Sequence, residues 1–197
     1  MAKLLYQGHG SYRITTSRNT VLYVDPYVGK GYDLPADLLL VSHEHPDHNA
    51  VGLVTLKPDG KLYRSSDLLK HGRYRSIDER DFHVEATPAC NRNHPIDQCV
   101  GFLIKVDGLT IYASGDTSET AYMRETLSKA AVDYALLPID GVYNMGPEEA
   151  SRCAEIIGAK HSIPVHMKPG ALFDAEMANS FHCAGRLILT PGTEIQL

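Results

Sequence analysis

Asp37-Leu38-Leu39-Leu40-Val41-Ser42-His43-Glu44-His45-Pro46-Asp47-His48 joins an unbroken apolar run to a dense polar turn. The run reads as a strand buried on both faces, as in parallel sheets. Side-chain direction repeats every two residues in an extended chain, so His43 and His45 point to one side and Glu44 to the other. Pro46 breaks the extension, and Asp47 and His48 come from the turn that follows. These four nitrogen and oxygen donors fall within six residues at a strand end, where they can face one or two cations. Imidazoles and carboxylates together suit zinc, manganese or iron.

The 197-residue length makes a single domain over 1–197 the expectation. Hydrophobic residues make up 43% and charged residues 22%, which excludes a disordered or fibrous chain. The 10 histidines stand out beside 5 methionines, 4 phenylalanines and no tryptophan. A net charge of −5 argues against a broad nucleic-acid surface, which needs clustered lysine and arginine. No apolar stretch approaches the ~20 residues of a membrane span. Met1-Ala2-Lys3-Leu4-Leu5-Tyr6 lacks the long apolar region and cleavage site of a signal peptide. The expected location is the cytoplasm, with no membrane partner. Cys90, Cys99, Cys153 and Cys183 form no C-x-x-C pair and read as free thiols.

Short runs rich in β-branched and aromatic residues predict strands at 3–7, 11–16 and 20–25, then 37–42, 61–64, 82–87, 99–106, 109–114, 133–139, 161–166 and 186–189. Pro147 at a first helical position, acids in the first turn and Gly158 at the end frame a helix from Gly146. A second helix is predicted over 119–131 with Ser118 as N-cap, and a third over about 174–183. Strands in runs, then alternating with helices, predict an α/β sandwich of mixed sheets with helices outside.

The His43–His48 motif resembles the signature of the metallo-β-lactamase superfamily. Members carry a later histidine, here His94 in Asn93-His94-Pro95. An aspartate follows a strand, here Asp116 in Gly115-Asp116-Thr117, and a last histidine ends one, here His166 in Ile163-Pro164-Val165-His166. Flanking words are similar to one branch, the small zinc-dependent hydrolases related to ascorbate-6-phosphate lactonases. These are Gly8-His9-Gly10-Ser11, Asp25-Pro26-Tyr27, Asn91 before His94-Pro95, Leu137-Pro138-Ile139 and Met145-Gly146-Pro147-Glu148-Glu149-Ala150. The chain departs from that branch at Asn144, where threonine is usual, and at Met167-Lys168, where tyrosine is common.

The resemblance implies a four-layer αββα sandwich of two mixed sheets. It implies two divalent metal ions, zinc or manganese. His43, His45 and His94 would hold one, Asp47, His48 and His166 the other, and Asp116 would bridge them. A hydroxide shared by the metals would attack an ester-like bond in a small lactone or phosphorylated metabolite. A phosphodiesterase or nuclease is the alternative enzyme, and a non-catalytic metal-binding interaction module the alternative of another class. Asp25 is the candidate to orient a ligating histidine. His9, with Asp47 and Asp116, is a candidate catalytic residue. Tyr143, Asn144 and Lys168 are candidate substrate contacts. His71, His83, His161 and His182 match no ligand position. A homo-oligomer is in keeping with related lactonases.

Overall fold

Hydrophobic alternation sorts the strands into two sheets with a shared interior. The computed structural model describes all of residues 1–197. The first sheet has strand order β14-β1-β2-β3-β4-β5. It uses β1 (Lys3–Gly8), β2 (Ser11–Thr15), β3 (Val21–Val24), β4 (Ala36–Val41), β5 (Leu56–Arg64) and β14 (Glu194–Gln196). A small hairpin of β6 (Leu69–Lys70) and β7 (Arg73–Tyr74) follows the single turn α1 (Ser65–Leu68). The second sheet runs β13-β12-β11-β10-β9-β8. Its members are β8 (Ser76–Glu79), β9 (Phe82–Pro88), β10 (Val100–Val106), β11 (Leu109–Ala113), β12 (Tyr134–Pro138) and β13 (His161–Val165). Both sheets are mixed: β3-β4-β5 and β11-β12-β13 pair in parallel, and the others antiparallel.

Alternate residues divide between the layers. Leu22, Val24, Leu38 and Leu40 face the core between the sheets, where they meet Val100, Phe102, Ile104 and Leu136 in one cluster of 26 buried residues. Tyr23 and Leu39 point outward. On the second sheet, Tyr112, Ala135 and Leu137 face outward under α2 (Ala121–Glu125), α3 (Pro147–Ile157) and α4 (Ala175–Ser180). The long apolar runs of β4 and β12 belong to parallel strands covered on both faces, as the sequence predicts for β4. The outer layer over the first sheet is thin. It consists of Tyr32, Leu34 and a 3-10 turn at Val51–Leu53, with Val54 packed beneath.

Some elements differ from the sequence reading. The predicted 119–131 helix is an α-turn over Ala121–Glu125 and a 3-10 turn over Leu127–Lys129, broken at the β-branched Thr126. Thr120, not Ser118, is its N-cap. Residues 186–189 form no strand: one bridge joins Arg186 to Ser162, after which Leu189 turns into the core. β14 and β8 are too short for a clear period, and pairing at the sheet edges defines them. α3 starts at Pro147 and stops where Gly158 adopts left-handed backbone, as its sequence signals predict.

Leu40 is fully buried in a central strand. Leu40→Ala is expected to destabilise the fold by about 2–5 kcal/mol, read from the urea unfolding midpoint. A loss under about 1 kcal/mol would show that β4 is not central to the core.

Candidate metal centre

The C-terminal ends of strands from both sheets meet at one edge, the usual location for sites in sheets of this kind. β4 leads into His43–His48, β9 into the His94 loop, β11 into Asp116, β12 into Asp140 and β13 into His166. The β1–β2 turn delivers His9, and the end of β3 delivers Asp25. His9, Asp25 and His166 adopt left-handed backbone with φ of 55°, 47° and 45°. Such conformations are strained for non-glycine residues and gather at functional sites. Glycine is required at position 10, where a Cβ would stand 2.9 Å from the His48 ring.

His43, His45 and His94 form one group, and His9, Asp47, His48 and His166 another. Within each, the potential ligand atoms lie within 4.8 Å of one another. Asp116 stands between the groups. Its carboxylate is 3.3 Å from His94 Nε2, 3.4 Å from both His48 Nε2 and His166 Nε2, and 4.0 Å from His43 Nε2.

The outward ring nitrogens are held from behind. Asp25 Oδ2 lies 2.9 Å from His48 Nδ1, Asn91 Oδ1 2.9 Å from His94 Nδ1, and Ser42 Oγ 3.0 Å from His43 Nδ1. Asp140 Oδ2 sits 2.9 Å from His166 Nδ1, close but poorly aligned as a hydrogen bond. Asp25 in turn accepts from the Ser42 amide and hydroxyl at 2.7 and 2.6 Å. With their backs occupied, His48 and His94 turn buried, unpartnered Nε2 atoms inward, and the buried Nε2 of His166 is likewise without a hydrogen-bond partner.

That arrangement attracts positive charge. Burial, reinforced by the neighbouring His48, presses the pKa of His43 down to about 2 and keeps it neutral. Burial also lowers that of His45. At His48 and His166 burial opposes protonation, but Asp116, aided by Asp25 and Asp140 respectively, outweighs it. His166 rises to about 10 and His48 also rises. Asp47 stays far below the usual carboxylate range, because contacts from His166 and His9 overcome its burial. Neutral imidazoles, two carboxylates and converging unpartnered nitrogens fit divalent cations.

The expected donors are thus all gathered at one edge. The other candidates divide. Tyr143 is 51% exposed and lines a pocket of about 250 Å³ with His45, Pro46, Asp47, His94, Asp116 and His166. His9, read from sequence as catalytic, is completely buried. Its Nδ1 contacts the Ala171 carbonyl, its Nε2 lies 3.1 Å from Asp47 Oδ2, and its ring packs 3.7 Å from that of His166. It therefore sits behind Asp47, outside the lining of the pocket. Asn144 is also buried, with both ends of its amide bonded inside the protein, to Asn91 and Asp140. Lys168 lies outside the pocket, exposed beside Asp174 in a neighbouring groove. Glu44 turns away to Arg64 and Asn49, as strand alternation predicts. Sequence reasoning missed Asp140 and Ser42. Asp140 carries the same signal as Asp25 and Asp116, a carboxylate just past a strand.

A family model described as a beta-lactamase superfamily domain matches residues 3–166. The chain belongs to this superfamily. A metal-dependent hydrolase of Methanoregula boonei is 31% identical over 199 residues, covering 92% of this chain and 88% of that one. Another, from Thermococcus kodakarensis, is 28% identical over 228 residues and covers both chains fully. The metallo-β-lactamase fold protein YhfI of Bacillus subtilis superposes over 100% of both chains with a TM-score of 0.76 at 16% identity. The two-sheet architecture is therefore that of the superfamily.

Against burial, Asp116 and Asp140 push the pKa of His166 up to about 10, so a cation binding this imidazole competes with a proton. Zinc affinity is therefore expected to rise by up to about tenfold per pH unit from pH 7 to 9 as that proton becomes easier to remove. Competition with a chromogenic chelator measures this, and a flat profile would contradict it.

Proposed function

We propose that the chain is a metal-dependent hydrolase that cleaves an ester-like bond in a small metabolite, with a lactone as the leading substrate. The observation that carries this reading is the set of buried, unpartnered Nε2 atoms around Asp116 at the base of an open pocket. His43, His45 and His94 would hold one cation and Asp47, His48 and His166 a second, with Asp116 shared. Such cations supply Lewis acidity at a substrate oxygen and lower the pKa of water from about 15.7 towards about 7.

The chain's own groups provide the geometry. Ser42, Asn91 and Asp25 hold the ring nitrogens of His43, His94 and His48 that face away from the pocket, fixing which nitrogen is presented, and Asp140 stands 2.9 Å from His166 Nδ1. Asp47, with a side chain 32% exposed, brings an ionised oxygen to the pocket, steadied by His9. Tyr143 offers an exposed ring at the mouth, against which a carbon skeleton can rest.

The pocket's size and lining narrow the substrate. At about 250 Å³ it is below the ~300–1,000 Å³ of drug-sized sites, which favours a small molecule over a polymer. No lysine or arginine lines it, so a neutral lactone ring suits it better than a phosphate group.

His45→Ala and Asp116→Asn are each expected to reduce hydrolysis by at least about a thousandfold while preserving the circular-dichroism spectrum. Unchanged turnover in both would refute the mechanism. A panel of lactones is expected to be turned over in preference to bis-p-nitrophenyl phosphate. Cleavage of RNA or DNA without small-molecule turnover would indicate a nuclease instead.

A further inference from the structure

Two amides, Asn144 buried and Asn91 half-buried, connect the two halves of the histidine cluster. Asp140 Oδ1 accepts from the backbone amides of Val142, Tyr143 and Asn144 at 2.7, 2.7 and 3.2 Å. Its Oδ2 meets the Asn144 side chain at 2.8 Å and His166 Nδ1 at 2.9 Å. An ionised carboxylate only accepts hydrogen bonds. The Asn144 side chain must therefore present its Nδ2 to Asp140.

The remaining orientations follow in sequence. Asn144 Oδ1 then faces Asn91, 3.1 Å away, and requires a donor there, so Asn91 presents its own Nδ2. Asn91 Oδ1 is left to accept from the amides of Asn93 and His94 at 2.8 and 3.1 Å, and from His94 Nδ1 at 2.9 Å. An acceptor at Nδ1 places the proton on that nitrogen. His94 Nε2, 3.3 Å from Asp116, then keeps its lone pair for the pocket. Neither amide can flip without setting two acceptors or two donors against each other, which leaves buried polar groups unsatisfied.

We propose that Asn144 is a positioning residue of the cluster, passing the acceptor character of Asp140, the carboxylate beside His166, through Asn91 to His94 in the other half. Asn144 makes no hydrogen bond to either histidine, and its partners all lie beneath the pocket. The inference rests on the metal-dependent reading above for its purpose, but its geometry stands without a bound ion.

The test uses the full-length chain, labelled with nitrogen-15 and free of metal, with the tautomer of His94 read from long-range proton–nitrogen couplings. The original chain is expected to show His94 as a single Nδ1–H tautomer. Asn144→Leu removes the link and is expected to give a mixture, with zinc binding weakened by at least about tenfold. Asn144→Thr supplies a hydroxyl that can donate to Asp140 and accept from Asn91 Nδ2, and is expected to retain the Nδ1–H tautomer. A single unchanged tautomer in Asn144→Leu, with zinc affinity within about twofold of the original, would overturn the proposal. So would loss of the tautomer in Asn144→Thr, and this polar variant decides the matter if Asn144→Leu does not fold. If the original chain binds no zinc, the metal-dependent reading fails, while the tautomer measurements still decide the role of Asn144.

Discussion

The carboxylate of Asp116 is the constraint around which the site is arranged. It lies within 4.0 Å of imidazole nitrogens from four separate positions in the chain. In a buried setting, inward lone pairs and a carboxylate repel one another unless positive charge lies among them. Only a rigid frame can hold them together. The core between the sheets supplies that frame, since β4 and β13, which carry His43 and His166, are fixed by packing far larger in extent than the site.

The polarity of the site depends on a second layer of groups. Each buried histidine turns one nitrogen inward because something holds the other, and the holders differ: a carboxylate at His48, an amide at His94, a hydroxyl at His43. Asp25 supports both His48 and Ser42, linking the first-sheet side of the cluster as Asn144 links the loops of the second. Ring orientation is thus set by short chains of hydrogen bonds that run along the sheet edge.

Much of this was legible in the sequence, for identifiable reasons. The two-face burial of β4 follows from its unbroken apolar run, and α3 from its proline, first-turn acids and terminal glycine. The donors converge as the superfamily resemblance implies, because a dense motif and three isolated residues each follow a strand. Other features left no local trace. Thr126 divides a helix whose apolar spacing looks continuous. His9 lies in a glycine turn, and nothing local in the sequence shows that the Ala171–Leu172 segment closes over it. Asn144 and Lys168 both follow strand ends on the site's side, but which of them faces the pocket is a matter of loop path, and neither does.

The left-handed backbone at His9, Asp25 and His166 has a further consequence. Each such residue costs on the order of 1–3 kcal/mol relative to relaxed backbone. Glycine would remove that tension at any of the three, but it would also remove the side chain for which the bend exists. Asn19, His71, Arg80, Asp107 and Ala131 share this backbone elsewhere, where glycine could relax it without loss to the site. The three bends mark where the chain has kept a less comfortable shape in exchange for a fixed arrangement of charge.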